Sequence, residues 1–234
     1  MLATQLRNTS KSAPNIATRE FVECCDTILP FFDHLGPVFH VARGEFQQKL
    51  DTLKSQSSDK PLLVDIVEAD RRANRATVKN SATRNLHRLA AAILFVKLLF
   101  ERLLSSAHAA AAEAAAATTT EDAAAGGAAA AAAATAAAAV AAEAHITLRE
   151  AASCAYEAAL APFHTTIVKG VVRAGMLTLP SKEHFIASIG ESEETAAERA
   201  REVVSACQEV HSSVSRLFDG IEMPASSVWL WPRS

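Results

Sequence analysis

The stretch from Ser81 to Leu103, SATRNLHRLAAAILFVKLLFERL, leaves this chain little choice about its fold. Leu86, Leu89, Ile93, Leu94, Val96 and Leu98 give it apolar surface wide enough for a buried helix, and Ser81 or Thr83 can cap its start, so the spacing predicts one long internal helix. Its charges run against that setting. Arg84 and Arg88 lie one turn apart on one face, where they repel each other, and both stand near the helix N-terminus, where the macrodipole disfavours cations. The same face continues through Ala91, Ala92 and Phe95, with no acid one turn away. An anion held between the two guanidinium groups relieves all three costs; the plainer alternative is a solvated basic edge whose arginine stems cover apolar neighbours.

The rest of the chain reads as helices around this one. From Thr18, the spacing of Phe21, Cys24, Cys25, Ile28, Leu29 and Phe32 predicts a first helix, with Pro30 late in it and Gly36 and Pro37 closing it. Residues 38–54 set Phe39, Phe46, Leu50 and Leu53 on one stripe and Glu45, Lys49 and Thr52 on the stripe beside it; Glu45 and Lys49 read either as an ordinary surface pair or as a paired site at a pocket edge. Residues 62–73 form a short helix, after which Arg71, Arg72, Arg75 and Lys79 lead into Arg84 and Arg88. Residues 146–176 resume the helical pattern, broken by Pro162 just before His164; Ser181 can cap a short helix through Ile189. The last long helix, 192–218, spaces Val203, Cys207, Val210, Val214 and Leu217 by threes and fours. Period-two runs and strand-turn dipeptides do not appear, so the expectation is an all-α domain of about eight helices. It spans 15–223, with flexible tails at 1–14 and 224–234.

Residues 107–144 interrupt that domain with nearly pure alanine. Alanine favours helix, but a tract without periodicity has no face to bury, so it reads as a tolerated surface-loop expansion. It also inflates the 50% apolar content of the 234 residues. The net charge of −3 gives no global argument for nucleic acid as a partner, and no aromatic residue is interleaved with the six local cations, which suit a compact anion such as phosphate better. The four cysteines form no CxxC pair, so no disulfide framework or metal site is expected, and reduced thiols fit a cytosolic chain. The N-terminus lacks the apolar run of a signal peptide, although its acid-free, basic composition leaves an organelle-targeting segment as an alternative, and no segment has the twenty or so apolar residues of a membrane span. Glycine-rich phosphate loops, HExxH and GxSxG are all missing. A nucleophile built from Cys154 and His164 lacks a third orienting group, and cysteine in an apolar stripe belongs to the core, so the chain is not expected to be an enzyme.

What remains is Glu45 and Lys49 on one helix, Arg84 and Arg88 on another, and His164 on a third element. The segments LPFFDHLGPVFHVARGEFQQKL, TRNLHRLAAAILFVKLLFERL and AYEAALAPFHTTIVKGVVRAGMLTLP, in that order, resemble the glycolipid transfer protein superfamily, and within it the ceramide-1-phosphate branch of the plant accelerated-cell-death type. The resemblance covers most of 20–220 outside the alanine tract. It implies a two-layer helical sandwich that holds a sphingolipid headgroup at a surface site and its chains in an apolar pocket. It also implies roles: Glu45 takes the ceramide amide NH and hydroxyl, His164 donates to the amide carbonyl, and Lys49, Arg84 and Arg88 hold the phosphate. Arg88 stands where the sugar-binding branch has a tryptophan platform, which favours phosphate over sugar. Two residues depart from the pattern: Glu45 replaces an aspartate, moving the carboxylate by roughly one bond length, and Thr166 replaces a tryptophan after the histidine.

The function so implied is cytosolic transfer of a phosphosphingolipid between membranes by a monomer that touches each membrane transiently, without cofactor or metal. Alternatives are glycolipid transfer, a lipid-sensing interaction module that moves no cargo, and a purely structural adaptor. Trp229, Leu230 and Trp231 read either as an interfacial anchor or as part of a flexible tail.

Overall fold

A computed structural model describes residues 2–36, 39–119 and 146–225. In chain order its α-helices are α1 (Leu2–Lys11), α2 (Thr18–Asp26), α3 (Leu29–His34), α4 (Phe39–Lys54), α5 (Leu63–Arg72), α6 (Ala82–Thr119), α7 (Leu148–Ala159), α8 (Thr166–Met176), α9 (Lys182–Ser188) and α10 (Glu193–Ser215). Short 3₁₀ turns cover Ala161–Phe163 and Arg216–Phe218. Among the described residues there is no strand; one antiparallel bridge between Ala17 and Leu62 ties the start of α2 to the start of α5.

The helices form a two-layer sandwich with α6 as the common partner: it packs against α10, α7, α4 and α5. Local chemistry starts it where the sequence predicts. Ser81 Oγ accepts the Arg84 amide at 3.1 Å, and the Asp70 carboxylate accepts the Thr83 amide at 2.8 Å, placing a negative charge at the positive end of the helix. Leu86, Leu89, Ile93, Val96 and Leu99 are then buried along it. The later helices are capped in the same way. Thr147 and Glu150 form a reciprocal capping box on α7, and Thr165, Ser181 and Ser192 cap α8, α9 and α10.

Several expectations need correction. Residues 2–11 are not a flexible tail: α1 lays Leu2, Ala3, Leu6, Thr9 and Ser10 into the core and packs on α10. The first predicted helix is two. The chain turns at Thr27 and Ile28, and Pro30 sits in the opening turn of α3, where a residue without an N–H costs no helical hydrogen bond. These two changes take the described α-helices from about eight to ten. Helix α6 continues beyond Leu103 to Thr119, so the start of the alanine tract prolongs the central helix rather than forming a loop. Alanine's high propensity lets the helix run on once a buried segment has nucleated it. Cys154 is exposed rather than in the core, whereas Cys24, Cys25 and Cys207 are buried and all four are free thiols. At the other end the predicted tail begins too early, because Pro224 is hydrogen-bonded to α6. Pro37, residues 120–144 and the Trp229–Trp231 anchor lie outside the described residues.

Candidate functional site

The polar stripe of α4 and the N-terminal third of α6 meet directly. Asn85, buried between the two arginines in sequence, donates to Thr52 Oγ1 at 3.1 Å and so joins the Arg84–Arg88 face to the Glu45–Lys49–Thr52 stripe. Lys49 Nζ donates to both the carboxylate and the backbone carbonyl of Glu45, each at 3.2 Å, so the pair is preformed on one turn of helix. Arg84 Nη1 donates to the Thr77 carbonyl at 3.2 Å, which anchors it to the loop ahead of α6. Arg71, Arg72, Arg75 and Lys79 are exposed along α5 and that loop.

Arg88 is not part of a solvated edge. It is only 9% exposed, with its guanidinium carbon 3.8 Å from the centre of the Phe163 ring. Its Nη1 donates to His87 Nδ1 at 3.1 Å and its Nη2 to the Pro224 carbonyl at 2.6 Å. Because arginine has only donors, His87 Nδ1 must accept, which leaves the His87 proton on Nε2. Burial, with Arg84 adding repulsion, lowers the Arg88 pKa to about 10, so the group stays cationic at neutral pH.

His164 follows the turn that Pro162 starts. Its Nδ1 lies 2.8 Å from the hydroxyl of Tyr156, the chain's one tyrosine. Burial pushes the imidazole below the usual histidine pKa; Glu45 opposes that shift, and Lys49, Arg88 and Lys169 reinforce it. Charges from α4, α6 and α8 thus act on one ring, which brings Glu45, Lys49, Arg88 and His164 into one electrostatic neighbourhood, with Arg84 coupled to it through Arg88. Sequence reasoning missed Asn85, Tyr156, Phe163 and His87. Asn85 carried a signal, since a polar residue between two cations on a buried helix needs a partner; Phe163 and Pro224 lie too far along the chain from Arg88 for any spacing rule.

The Nδ1 of His164 is engaged by Tyr156, and Cys154 is an exposed free thiol. Among the described residues no cluster of His, Cys, Asp and Glu is arranged for a metal ion, and no helix is long and apolar enough to cross a membrane. A cavity of about 360 Å³ lies between the starts of α7 and α9, lined in part by Leu148, Met176 and Leu179; it shares no residue with the cluster.

The buried histidines make stability depend on pH. Burial, then Arg88 and then His211, lower the His87 pKa to about 4, while His164 and His211 are also lowered by burial. The unfolded chain therefore takes up these protons first as pH falls below about 6.5, and stability is lost from there down toward pH 4. A loss on the order of 2 kcal/mol over that window is expected from His87. Urea unfolding at pH 7 and pH 4.5 measures it, and His87→Gln should flatten the dependence.

The sequence model of the glycolipid transfer protein family matches residues 16–123 and 131–191. Among curated proteins, accelerated cell death 11 of Arabidopsis thaliana is 24% identical over 205 residues, covering 88% of this chain and 82% of the relative. Among solved structures, a mutant of Arabidopsis accelerated-cell-death 11 complexed with ceramide-1-phosphate superposes with a TM-score of 0.74 at 22% identity, covering 95% of this chain and 94% of that one. The human ceramide-1-phosphate transfer protein in complex with ceramide-1-phosphate gives 0.68 at 18% identity, with 93% of each chain covered. At these identities the structural likeness is one of fold.

Proposed function

Because the chain belongs to the glycolipid transfer protein family, we propose that it carries a phosphosphingolipid of the ceramide-1-phosphate type between membranes. The observation that carries this reading is Arg88: a buried guanidinium, oriented by Phe163 and flanked by the Arg84 charge, in the neighbourhood of the Glu45–Lys49 pair and His164. Two arginines offer forked, charge-assisted contacts to phosphate oxygens and Lys49 adds a point charge. An arginine has no flat carbon platform on which a sugar ring could stack. Glu45 accepts from the ceramide amide N–H. His164, in the tautomer whose Nδ1 accepts from Tyr156, presents Nε2–H to the amide carbonyl. The acyl and sphingoid chains enter the apolar interior as core side chains part, and their removal from water supplies the affinity while the polar groups select the lipid.

A vesicle-to-vesicle assay with fluorescent ceramide-1-phosphate beside fluorescent galactosylceramide tests the reading. Transfer of the phosphate lipid alone is expected. Transfer of the sugar lipid overturns the headgroup assignment, and transfer of neither favours a lipid-sensing module.

Membrane contact would fall near His164 as well. Ile167 and Val171 are 80% and 60% exposed on one face of α8, and the first lies three residues beyond His164. Two large aliphatic side chains left in water beside a lipid headgroup site are suited to the acyl boundary of a bilayer. The double change Ile167→Asp and Val171→Asp should lower transfer about tenfold or more without changing affinity for a soluble short-chain lipid. Paired transfer and binding measurements check this split. Such a carrier would work as a monomer in the cytosol.

A further inference from the structure

Three contacts hold the Arg88 guanidinium in place. One face of the guanidinium covers Phe163, Nη1 is committed to His87 and Nη2 to the Pro224 carbonyl. Pro224 belongs to the segment that leaves α10. The 3₁₀ turn Arg216–Phe218 packs on α5, with the Phe218 ring edge-on to His87 at 4.9 Å. The Ile221 amide then donates back to the Phe218 carbonyl at 2.9 Å, and Gly220 turns the chain with φ +75°. Ile221 and Met223 rest half-buried against the core, so residues 219–225 lie as a strap from the end of α10 to Arg88.

We infer that this strap is an autoinhibitory seat, in which the Pro224 carbonyl occupies an Arg88 Nη2 donor that a ligand phosphate would use, so that lipid binds at full strength only as the strap lifts about Gly220. The inference rests on the reading of Arg88 as a phosphate ligand. The exchange is chemically balanced in the ligand's favour. A carbonyl oxygen carries a partial charge and offers one contact, whereas a phosphate carries full charge and several oxygens arranged for the guanidinium fork. Until that charge arrives, the strap keeps the Nη2 donor paired, which an otherwise buried cation needs. The hold is also small: one carbonyl contact and two half-buried side chains, on a hinge whose left-handed backbone suits glycine and strains a side chain such as alanine's. A Cβ at Gly220 would lie 3.5 Å from Arg71 Nη2, so the space tolerates alanine and the penalty is conformational.

The test compares binding of a soluble short-chain ceramide-1-phosphate, by calorimetry, to four proteins. These are the full chain, a chain ending at Ala225, a chain ending at Asp219, and the full chain with Gly220→Ala. The chain ending at Ala225 should match the full chain, and that ending at Asp219 should bind about tenfold tighter, the worth of one charge-assisted hydrogen bond no longer in competition. Gly220→Ala keeps every other residue and strains the seated strap, so it should tighten binding about fivefold. It decides the matter if the shorter chain proves unstable. Equal or weaker binding by the folded chain ending at Asp219 and by Gly220→Ala overturns the strap while leaving the phosphate site standing. No binding by any of the four removes the site and the strap together.

Discussion

Arg88→Leu is expected to lower ceramide-1-phosphate transfer about a hundredfold or more while leaving the protein folded. The change removes two donors that would contact phosphate oxygens, and hydrogen bonds to charged groups contribute about 1.5–3 kcal/mol each, which compounds to that factor. Folding should suffer little. Leucine suits a position that is only 9% exposed and lies against Phe163, and it removes a cation from a buried setting. Its cost is the Pro224 carbonyl and His87 Nδ1 left without a donor. Arg88→Lys separates charge from shape: it keeps the charge but not the planar fork, so transfer should fall about tenfold. Initial transfer rates for the three proteins, beside their urea midpoints, make the comparison. Unchanged transfer in Arg88→Leu would remove this residue from the site.

Leu89→Ala, one residue along the same helix, should do the reverse and act on stability. Leu89 is fully buried on the helix that α4, α5, α7 and α10 all pack against. Deleting three carbons there forfeits their transfer energy and leaves a void that four packed helices cannot all close, about 3–4 kcal/mol. For a domain of this size the melting temperature should drop by roughly 10 °C. Leu94→Ala, at a half-buried position on the same helix, should cost only about 1 kcal/mol. A difference of less than 1 kcal/mol between the two in urea unfolding would contradict α6 as the centre of the core.

Sequence resolved α6 because a run from Leu86 to Leu103 carries both the period and the width of a buried helix, and Ser81 supplies the cap. It separated α7 from α8 because Pro162 cannot continue a helix. Helix α1 escaped notice for a physical reason. Its buried residues, Leu2, Ala3, Leu6, Thr9 and Ser10, include two hydroxyls that fold back onto the Gln5 and Arg7 carbonyls, so a partly polar pattern conceals a packed face. Pro30 misled in the opposite sense, because a proline that ends one helix and one that opens the next look the same in sequence. At the candidate site, the i,i+4 spacing of Glu45 with Lys49 and of Arg84 with Arg88 was legible, since one helix fixes each pair. Burial of Arg88 was not. It depends on Phe163 and Pro224, which only the folded chain brings to it.

The stacking of Arg88 on Phe163 bears on the thermodynamic character of recognition. A free arginine side chain carries about 2 kcal/mol of rotamer entropy, much of it lost whenever its guanidinium must meet an oxyanion in one orientation. Here that plane is already fixed by an aromatic face at 3.8 Å and by the His87 ring nitrogen, so the ordering is completed during folding and is not repeated at each encounter. A headgroup arriving at so rigid a receptor meets a donor array of set direction. Discrimination then follows the angular fit of the incoming oxygens as much as their charge, and a carboxylate of equal charge but different span is held less well than a phosphate.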